Sequence, residues 1–475
     1  MSEYQYNKVT PEIIAELEAA TECPILTGDA INEDFYHDEM SIYGKAKPEV
    51  VVEVKSTEDV AAIVKICNDH KIPVTASGAR TALTGAAVAI AGGVMISTTK
   101  MNKILEYNLD DFSVRIQPGV LLDDLAADAE QHGLMYPPDP GERFATLGGN
   151  VATNAGGMRA CKYGCTRDYV RAITVVLASG EITHMGASVS KTSTGYSLLN
   201  LMIGSEGTLG IVTEITMKLI PKPKEYISII CPYESLDDCI ATVPKFFMAN
   251  LAPQALEFME KDVVEETEEF KGKVVYPHNM NGVEVKAYLL ASFDGNTMDE
   301  LYEVVEKAAE LAIEAGAIDV LVADTDSKKA DAWSTRSALL ECIEENTELL
   351  DECDVVVPIS KIAPFLTYVK SLEAEADFRV RSFGHAGDGN LHIYCCANDM
   401  EEPEFKKQVD VFMKECYAKA KEFGGLISGE HGIGLGKMDY LKDYVGDTSI
   451  AIMKGIKEVF DPNMILNPGK ICYKL

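Results

Sequence analysis

The stretch from residue 48 to residue 80 alternates apolar runs with an amphipathic segment. PEVVVEVKS (48–56) predicts a strand, and the next segment, STEDVAAIVKICNDHK, begins with a potential capping Ser56 or Thr57. Apolar residues recur in that segment three, four and seven positions after Val60, which is helical spacing. A second apolar run, IPVTASG, then leads into a loop of small residues. The pattern predicts a β-α-β unit.

Later segments alternate with the period of a strand. AITVVLA and EITHMG are separated by Ser179-Gly180, which predicts a hairpin, and GIVTEITMKLI alternates as a half-buried strand does. Strands joined by hairpins together with one crossover helix favour an α+β fold over a doubly wound sheet.

A break at PKPKEY (221–226) separates this region from a second pattern. VEVKAYLLASFDG predicts a strand, MDELYEVVEKAAELAIEAGA an amphipathic helix with an acidic solvated face, and AIDVLVADT another strand. We predict four parts: an N-terminal helical segment (1–45), a first domain (46–224), a second domain (225–425) and a glycine-rich C-terminal segment (426–475).

Composition and charge narrow the class of protein. The 475 residues are 47% hydrophobic and 25% charged, which predicts a folded protein of two or three domains. The formal net charge of −32 disfavours nucleic acid as a partner, because its backbone is also anionic. An anionic substrate would need a local cation.

The sequence also bears on location. It has no basic, apolar leader at its start and no apolar run long enough to be a transmembrane segment, so we expect a cytoplasmic protein. Its twelve cysteines are scattered at low density, which favours reduced thiols over a disulfide framework.

Three loops are dense in Gly, Ala, Ser and Thr: TASGARTALTGAA (75–87), TLGGNVATNAGG (146–157) and GSEGTLG (204–210). Such loops present consecutive backbone N–H groups, which can hold a pyrophosphate. Tight turns between strands are the alternative. No G-x-G-x-x-G follows a strand and no P-loop is present, so we predict a large phosphorylated cofactor that is held in another way.

Two histidines and a Glu-His pair suggest a metal site. GHAGDGNLH places His385 seven residues before His392, so GDGN must turn if the two rings are to converge. A hairpin with two unrelated histidines is the alternative. With Glu430 they form the ligand set of an open divalent site, compatible with zinc, iron(II) or manganese. The glycines around Glu430 and His431 allow both side chains to point into one cavity.

Several motifs, in this order, resemble one family: PVTASGARTALTG, YPPDPGERFATLGGNVATNAGGMRACKYG, STGYSLLNLMIGSEGTLGIVTE, FGHAGDGNLHI, ISGEHGIGLGK and DPNMILNPGK. The chain resembles the FAD-linked oxidoreductases of the vanillyl-alcohol oxidase / p-cresol methylhydroxylase (PCMH) type, and within them the D-lactate dehydrogenase / glycolate oxidase branch. The resemblance implies a two-subdomain FAD-binding domain of the PCMH type and an α+β cap domain with an antiparallel sheet.

The resemblance also assigns cofactor contacts. It implies contacts with the pyrophosphate, the ribityl chain and ring, the adenosine half and, from the C-terminal segment, the flavin. These residues are Ser77, Gly78, Ala79, Arg80, Thr81, Gly85, Pro138, Asp139, Thr146, Gly149, Ala152, Thr153, Asn154, Gly157, Glu206, Gly207, Gly210, Val212 and Asn467. Arg80 stands where flavin-tethering members carry a histidine, so we predict non-covalent FAD.

Catalytic roles are implied in the same way. The resemblance assigns His385, His392 and Glu430 to a metal, His431 to proton transfer, and Arg336 in WSTRSALLE to the substrate carboxylate. The alternative for His431 is a core histidine satisfied by hydrogen bonds, and the alternative for Arg336 is a surface pair with Glu341 or Glu344. Lys361 is a second candidate for the carboxylate.

We therefore expect FAD-dependent oxidation of a small 2-hydroxy acid, such as D-lactate or glycolate, by hydride transfer to flavin N5. A D-2-hydroxyglutarate-type dehydrogenase, a metal-dependent hydrolase without flavin and a non-catalytic flavoprotein subunit are the alternatives. An electron-transfer flavoprotein, an iron–sulfur subunit or a quinone could accept the electrons.

Overall fold

The computed structural model describes residues 5–475, so the first four residues of the predicted N-terminal segment lie outside the described chain. The chain forms two units. Of the described residues, the first unit contains 5–155, Cys165–Lys222 and Glu430–Leu475, and the second contains Gly156–Gly164 and Pro223–Gly429.

The helices of the described chain are α1 (Pro11–Ala20), α2 (Thr57–His70), α3 (Leu122–Gln131), α4 (Leu147–Thr153), α5 (Ala160–Tyr163), α6 (Thr166–Tyr169), α7 (Leu198–Met202), α8 (Leu236–Met248), α9 (Lys261–Lys271), α10 (Met298–Glu314), α11 (Asp326–Ser337), α12 (Leu339–Glu345), α13 (Ile362–Glu373), α14 (Glu402–Glu422) and α15 (Met438–Phe460, interrupted at Gly446).

The strands are β1 (Ile25–Thr27), β2 (Val50–Glu53), β3 (Val74–Ser77), β4 (Val94–Ser97), β5 (Ile104–Asn108), β6 (Ser113–Ile116), β7 (Leu134–Met135), β8 (Val170–Val176), β9 (Ile182–Gly186), β10 (Ile211–Lys218), β11 (Ile220–Pro221), β12 (Glu225–Tyr233), β13 (Ala255–Glu260), β14 (Asn279–Met280), β15 (Val283–Glu284), β16 (Ala287–Gly295), β17 (Leu321–Ala323), β18 (Leu349–Val356), β19 (Arg379–His385) and β20 (Asn390–Ala397).

The predicted β-α-β unit forms one sheet of the first unit, in the order β1-β2-β4-β3. Strands β2 and β3 both pair in parallel with β4, and α2 connects them. The Ser56 hydroxyl caps α2 by accepting a hydrogen bond from the N–H of Asp59. The apolar stripe that begins at Val60 is buried against this sheet, which confirms the sequence pattern.

A second sheet of the first unit has the order β5-β6-β10-β8-β9 and is antiparallel. The predicted hairpin is β8–β9, closed by a hydrogen bond from the N–H of Gly180 to the carbonyl of Leu177. Strand β10 alternates buried and half-buried residues along its length, as its sequence predicts.

The C-terminal residues return to the first sheet. Val74 in β3 donates its N–H to the carbonyl of Ile465 at 2.7 Å, and Asn467 donates to the carbonyl of Val74 at 2.6 Å. The buried ammonium of Lys457 donates to the carbonyls of Thr208 and Leu466, which ties this return to the loop at 204–210.

The second unit is built on one antiparallel sheet of seven strands, in the order β17-β12-β16-β13-β19-β20-β18. Apolar residues from α9, α11 and α12 pack with residues of five of these strands into one core cluster. Inward residues of the central strands are therefore sealed from water. The one mixed sheet and the two large antiparallel sheets, together with the helices, confirm the predicted α+β class.

Within residues 5–475, no helix combines the length and the apolar composition that crossing a lipid bilayer requires.

Candidate cofactor cleft and candidate metal centre

The three loops of small residues meet within the first unit. A Cβ atom added to Gly78 would lie 2.2 Å from the Thr146 hydroxyl oxygen, so only glycine allows this approach. Glu206 donates its N–H to the carbonyl of Ala152 at 2.8 Å, and a Cβ on Gly207 would lie 3.8 Å from Ala76. The predicted cofactor loops therefore adjoin, although they lie far apart in the sequence.

The loop that follows β3 offers unused backbone donors. Within the described chain, the N–H groups of residues 79–83 donate to no protein acceptor, and these residues are half-buried. Buried or partly buried N–H groups normally find acceptors. A consecutive series without them fits the phosphate oxygens of a dinucleotide.

Two further polar atoms support a bound cofactor in this unit. The Tyr136 hydroxyl and the Asn150 side-chain amide nitrogen are buried and have no hydrogen-bond partner in the described chain. Tyr136 precedes the predicted contacts Pro138 and Asp139, and Asn150 lies on α4 with Gly149 and Thr153. Because unsatisfied buried groups cost stability, these positions are consistent with a polar ligand such as FAD.

Asn467 joins two of the loops. Its side-chain nitrogen donates to the carbonyl of Ala86 at 2.9 Å and to the carbonyl of Glu206 at 2.8 Å. Its backbone has a positive φ of 41°. The C-terminal segment thus joins these two loops, and the contact of Asn467 with the flavin stays a prediction.

Other predicted cofactor residues have different surroundings. A Cβ on Gly210 would lie 2.5 Å from Val175, so close packing onto β8 explains this glycine. Arg80 has a φ of 64°, and its guanidinium lies 4.5 Å above the ring of Phe35. Gly157 lies in the second unit, and the other predicted cofactor residues lie in the first.

Glu206 has an engaged side chain that its loop sequence did not predict. Its two carboxylate oxygens accept the backbone N–H groups of Ile433 at 2.8 Å and Gly434 at 2.7 Å. Burial raises the pKa of Glu206 to about 7, although these two N–H groups and nearby Lys470 lower it. The carboxylate therefore binds the backbone just beyond His431.

In the second unit, His385 ends β19 and His392 lies on β20, joined by a turn at 386–389. Gly389 donates to the carbonyl of His385 at 3.0 Å with a φ of 86°, which confirms the turn. The two Nε2 atoms lie 3.4 Å apart. The two rings were expected to converge only if this turn formed, and the structure has both the turn and the converging rings.

Each imidazole contacts its own buried carboxylate through its other ring nitrogen, Nδ1. The Nδ1 atom of His385 lies 2.8 and 2.9 Å from the Glu257 oxygens, and Nδ1 of His392 lies 3.1 Å from Glu352. His385 and Arg336 hold the pKa of Glu257 below its usual value, although burial opposes them with the largest single effect. The Glu257 carboxylate therefore fixes the orientation of the His385 imidazole.

This arrangement fits a divalent metal. Metal-binding histidines typically donate one ring N–H to a carboxylate and direct the other nitrogen to the ion. Two nitrogens at about 2.1 Å from a tetrahedral zinc ion would lie about 3.4 Å apart. The separation of the Nε2 atoms of His385 and His392 agrees with that value.

Glu257 and Glu352 were missed from the sequence. Each is an acidic residue at an inward position of a buried strand, in ALEFME and LLDECDVV. An ionisable residue at such a position needs a partner. An acidic residue within each of these apolar strands was therefore the signal from which both carboxylates could have been found.

Glu430 and His431 belong to the first unit but follow directly on the last residue of the second. Ser428 and Gly429 donate to the Asp354 carboxylate at 2.8 and 3.0 Å, and Asp354 pairs with His392 in the strand register. The Nε2 atom of His431 lies 3.6 Å from the Glu430 carboxylate. These two side chains therefore point the same way.

Arg336 is buried on α11. Its Nε and Nη2 atoms donate to one oxygen of Glu257 at 2.9 and 2.7 Å, and its guanidinium lies 4.7 Å above the ring of Phe383. It does not form the surface pair with Glu341 or Glu344 that was its alternative. Lys361 is exposed.

Comparison with known proteins covers most of the chain. Residues 48–186 match the family described as "FAD binding domain", and residues 222–471 match "FAD linked oxidases, C-terminal domain". The chain is 72% identical over 475 residues to a D-lactate dehydrogenase of Anaerostipes hadrus, covering 100% of both chains. It is 36% identical over 433 residues to glycolate oxidase subunit GlcD of Bacillus subtilis, covering 90% of each.

Solved structures resemble it in fold. p-Cresol methylhydroxylase with substrate bound superposes with a TM-score of 0.79 at 18% identity, covering 98% of this chain and 96% of that one. 4-Ethylphenol oxidase from Gulosibacter chungangensis superposes with a TM-score of 0.76 at 19% identity, covering 99% of both chains.

Proposed function

Because the chain belongs to the family of FAD-linked oxidases, we propose that it oxidises a small D-2-hydroxy acid, with D-lactate as the first candidate. The name of the relative that is 72% identical supports this substrate. The paired imidazoles of His385 and His392, each backed by a buried carboxylate, carry the proposal structurally, because they suit a metal that binds an α-hydroxyl group.

FAD, when bound, would supply the hydride acceptor. We propose that it is non-covalent, since Arg80 replaces the imidazole that a tether would need. Residues 79–83 would hold its phosphates through their N–H groups, and Asn467 would fix the two loops beside it.

His385 and His392 would hold a divalent ion, and Glu430 would supply the third ligand. The geometry of the histidine pair and the anchoring of Gly429 to Asp354, one residue before Glu430, support this set. Such an ion would lower the pKa of the substrate hydroxyl. His431 would then accept the hydroxyl proton at Nε2.

Arg336 is proposed to attract the substrate carboxylate with the part of its guanidinium that Glu257 does not engage. Only Nε and Nη2 contact Glu257. The main support for this role is that Arg336 in WSTRSALLE matches the position at which related proteins bind the substrate carboxylate.

The test is anaerobic reduction of the bound flavin by a panel of D- and L-2-hydroxy acids. We expect D-lactate to bleach the flavin absorption and L-lactate to leave it unchanged. Glycolate and D-2-hydroxyglutarate belong in the panel, because each would identify a different substrate preference. A colourless protein that hydrolyses esters or phosphates would instead support the metal-dependent hydrolase.

The base is tested by His431→Ala. We expect flavin reduction to fall by at least about a hundredfold while FAD remains bound, since general-base catalysis contributes about 10² to 10⁴. His70→Ala, which removes an exposed imidazole in the same unit, is the matched control. Equal reduction rates in the two variants would exclude His431 as the base.

The electron acceptor is proposed to be a partner protein or a quinone. An electron-transfer flavoprotein and an iron–sulfur subunit are the protein candidates, and copurification of the native protein would distinguish them. All twelve cysteines are free thiols, which supports the proposal of a cytoplasmic location.

A further inference from the structure

The backbone of Glu206 is fixed within the cofactor loop 204–210. Its N–H donates to Ala152, and its carbonyl accepts from the Asn467 side chain. Its φ is 51°, a left-handed conformation that non-glycine residues rarely adopt. Contacts from two directions therefore fix the backbone of this residue.

That side chain ends on the segment 432–434, which follows His431. Oε1 accepts from Ile433 and Oε2 from Gly434, so both oxygens are used by consecutive N–H groups. A Cβ on Gly432 would lie 2.7 Å from Oε1. The backbone at 432–434 thus wraps closely around the carboxylate.

Other contacts hold the far end of the same loop. Leu435 and Gly436 both donate to the carbonyl of Thr84, at 2.8 and 2.9 Å, and Gly434 accepts from Ile471 at 3.2 Å. The contacts of Leu435 and Gly436 lie further from His431 in the chain than the two bonds to Glu206, and the bond from Ile471 meets Gly434 itself. The Thr84 hydroxyl donates to the carbonyl of His431 over a longer distance, 3.4 Å. A hydrogen bond to a carboxylate is also stronger than one to a carbonyl.

We propose that Glu206 is a positioning residue, which fixes the backbone at 432–434 and thereby orients the imidazole of His431. The adenosine contact that the family resemblance implies for Glu206 stays a separate prediction. The consequence for catalysis rests on the proposed function of His431, whereas the structural anchoring does not.

Only an ionised carboxylate can accept both N–H groups equally well. The amide of Glu206→Gln offers one oxygen and one NH₂ group, and the latter would oppose the second backbone N–H. The substitution preserves shape, so it removes the anchor with little change in volume. Glu214→Gln is the matched control, because Glu214 forms a surface pair with Arg115 in the same unit.

The first readout is amide hydrogen exchange of residues 431–436, measured by mass spectrometry on the purified full-length protein without substrate, at a pH of about 8.5, where Glu206 is ionised. We expect at least tenfold faster exchange at Ile433 and Gly434 in Glu206→Gln, because a hydrogen bond to a charged group is lost. Exchange in the hairpin β8–β9 should stay unchanged. Glu214→Gln should match the unmodified protein at both places.

The second readout is flavin reduction in the loaded enzyme. We expect the limiting rate in Glu206→Gln to fall about a hundredfold, the effect of misplacing a catalytic group by about 1 Å. The substrate concentration at half-maximal rate should change less than threefold, because Glu206 does not contact the substrate in this proposal.

Gly432→Ala tests the same contact from the other side, should Glu206→Gln fold poorly. Its Cβ would meet the Glu206 carboxylate, whereas Gly446, with a similar φ of 78° against 83°, has nothing within 4 Å. Gly432→Ala should therefore accelerate exchange at 433–434, and Gly446→Ala should not.

The outcomes are distinct. If no 2-hydroxy acid reduces the unmodified enzyme, the proposed function fails, and the exchange measurement still decides the anchoring. If exchange at 433–434 is unchanged in both Glu206→Gln and Gly432→Ala, the inference is overturned. It is also overturned if exchange accelerates but flavin reduction by the active enzyme keeps its normal rate.

Discussion

Glu257 joins two functional candidates of the second unit, and replacing it should destabilise the unit strongly. Its side chain is fully buried and accepts two bonds from Arg336, whose side chain is 8% exposed, besides its contact with His385. Glu257→Gln keeps the volume but removes the charge. A guanidinium then stays buried without a counter-ion.

The expected cost is about 3 to 5 kcal/mol, because breaking a buried pair leaves an uncompensated charge. A matched control exists in the same unit. Arg381 also donates through its Nε and Nη2 atoms, to Glu266, whose side chain is 39% exposed. Since water can replace that carboxylate, Glu266→Gln should cost at most about 1 kcal/mol.

The assay is urea unfolding of the cofactor-free protein, followed by tryptophan fluorescence. The chain has a single tryptophan, Trp333, which lies one turn before Arg336 on α11 and donates to Ser228 at 3.0 Å. Its emission therefore reports on the second unit. Equal unfolding midpoints for Glu257→Gln and Glu266→Gln would refute the claim that burial decides the cost.

Three further predictions concern the other sites. Gly78→Ala should weaken FAD binding at least tenfold in a fluorescence titration, because its Cβ would displace Thr146, whereas Gly141→Ala, with open space around it, should not. Glu352→Gln should weaken metal binding about 10- to 100-fold in chelator competition, since the carboxylate orients a ligand. Burial raises the pKa of Glu206 from 4.5 to about 7. The folded protein thus keeps a proton that the unfolded chain releases, so the stability from this group is present below pH 4.5 and lost as the pH rises to 7. Unfolding of the cofactor-free protein should show a loss of about 3 kcal/mol over that range that Glu206→Gln lacks.

Local patterns predicted the elements well. The helical spacing after Val60 and the two-residue turn at Ser179-Gly180 are short-range features, and the structure has a helix and a hairpin there. The α+β class followed from the same features. The predicted domain boundaries stay predictions. Each compact unit contains segments that are far apart in the sequence, and a local pattern does not show which distant segments pack together.

Pairing between distant residues could not be predicted. Glu257 and His385 meet because β13 and β19 are neighbours in that register, although 128 residues separate them. Arg336 was expected to contact either the substrate or a nearby acid, yet its partner lies 79 residues away. The composition of a loop shows that something can approach it. The composition does not identify the group that approaches. Glu206 is an example, because its side chain binds the backbone of Ile433 and Gly434, which lie more than 200 residues later in the chain.

The late return of Asn467 imposes an order on assembly. Its amide bridges the carbonyls of Ala86 and Glu206, which are 381 and 261 residues earlier in the chain. At about 5 to 20 residues per second, a ribosome needs roughly 20 to 75 seconds to travel from Ala86 to Asn467. Nascent chains therefore lack this bridge between the two loops for most of their synthesis, and the proposed cofactor site is complete only after this segment has been translated.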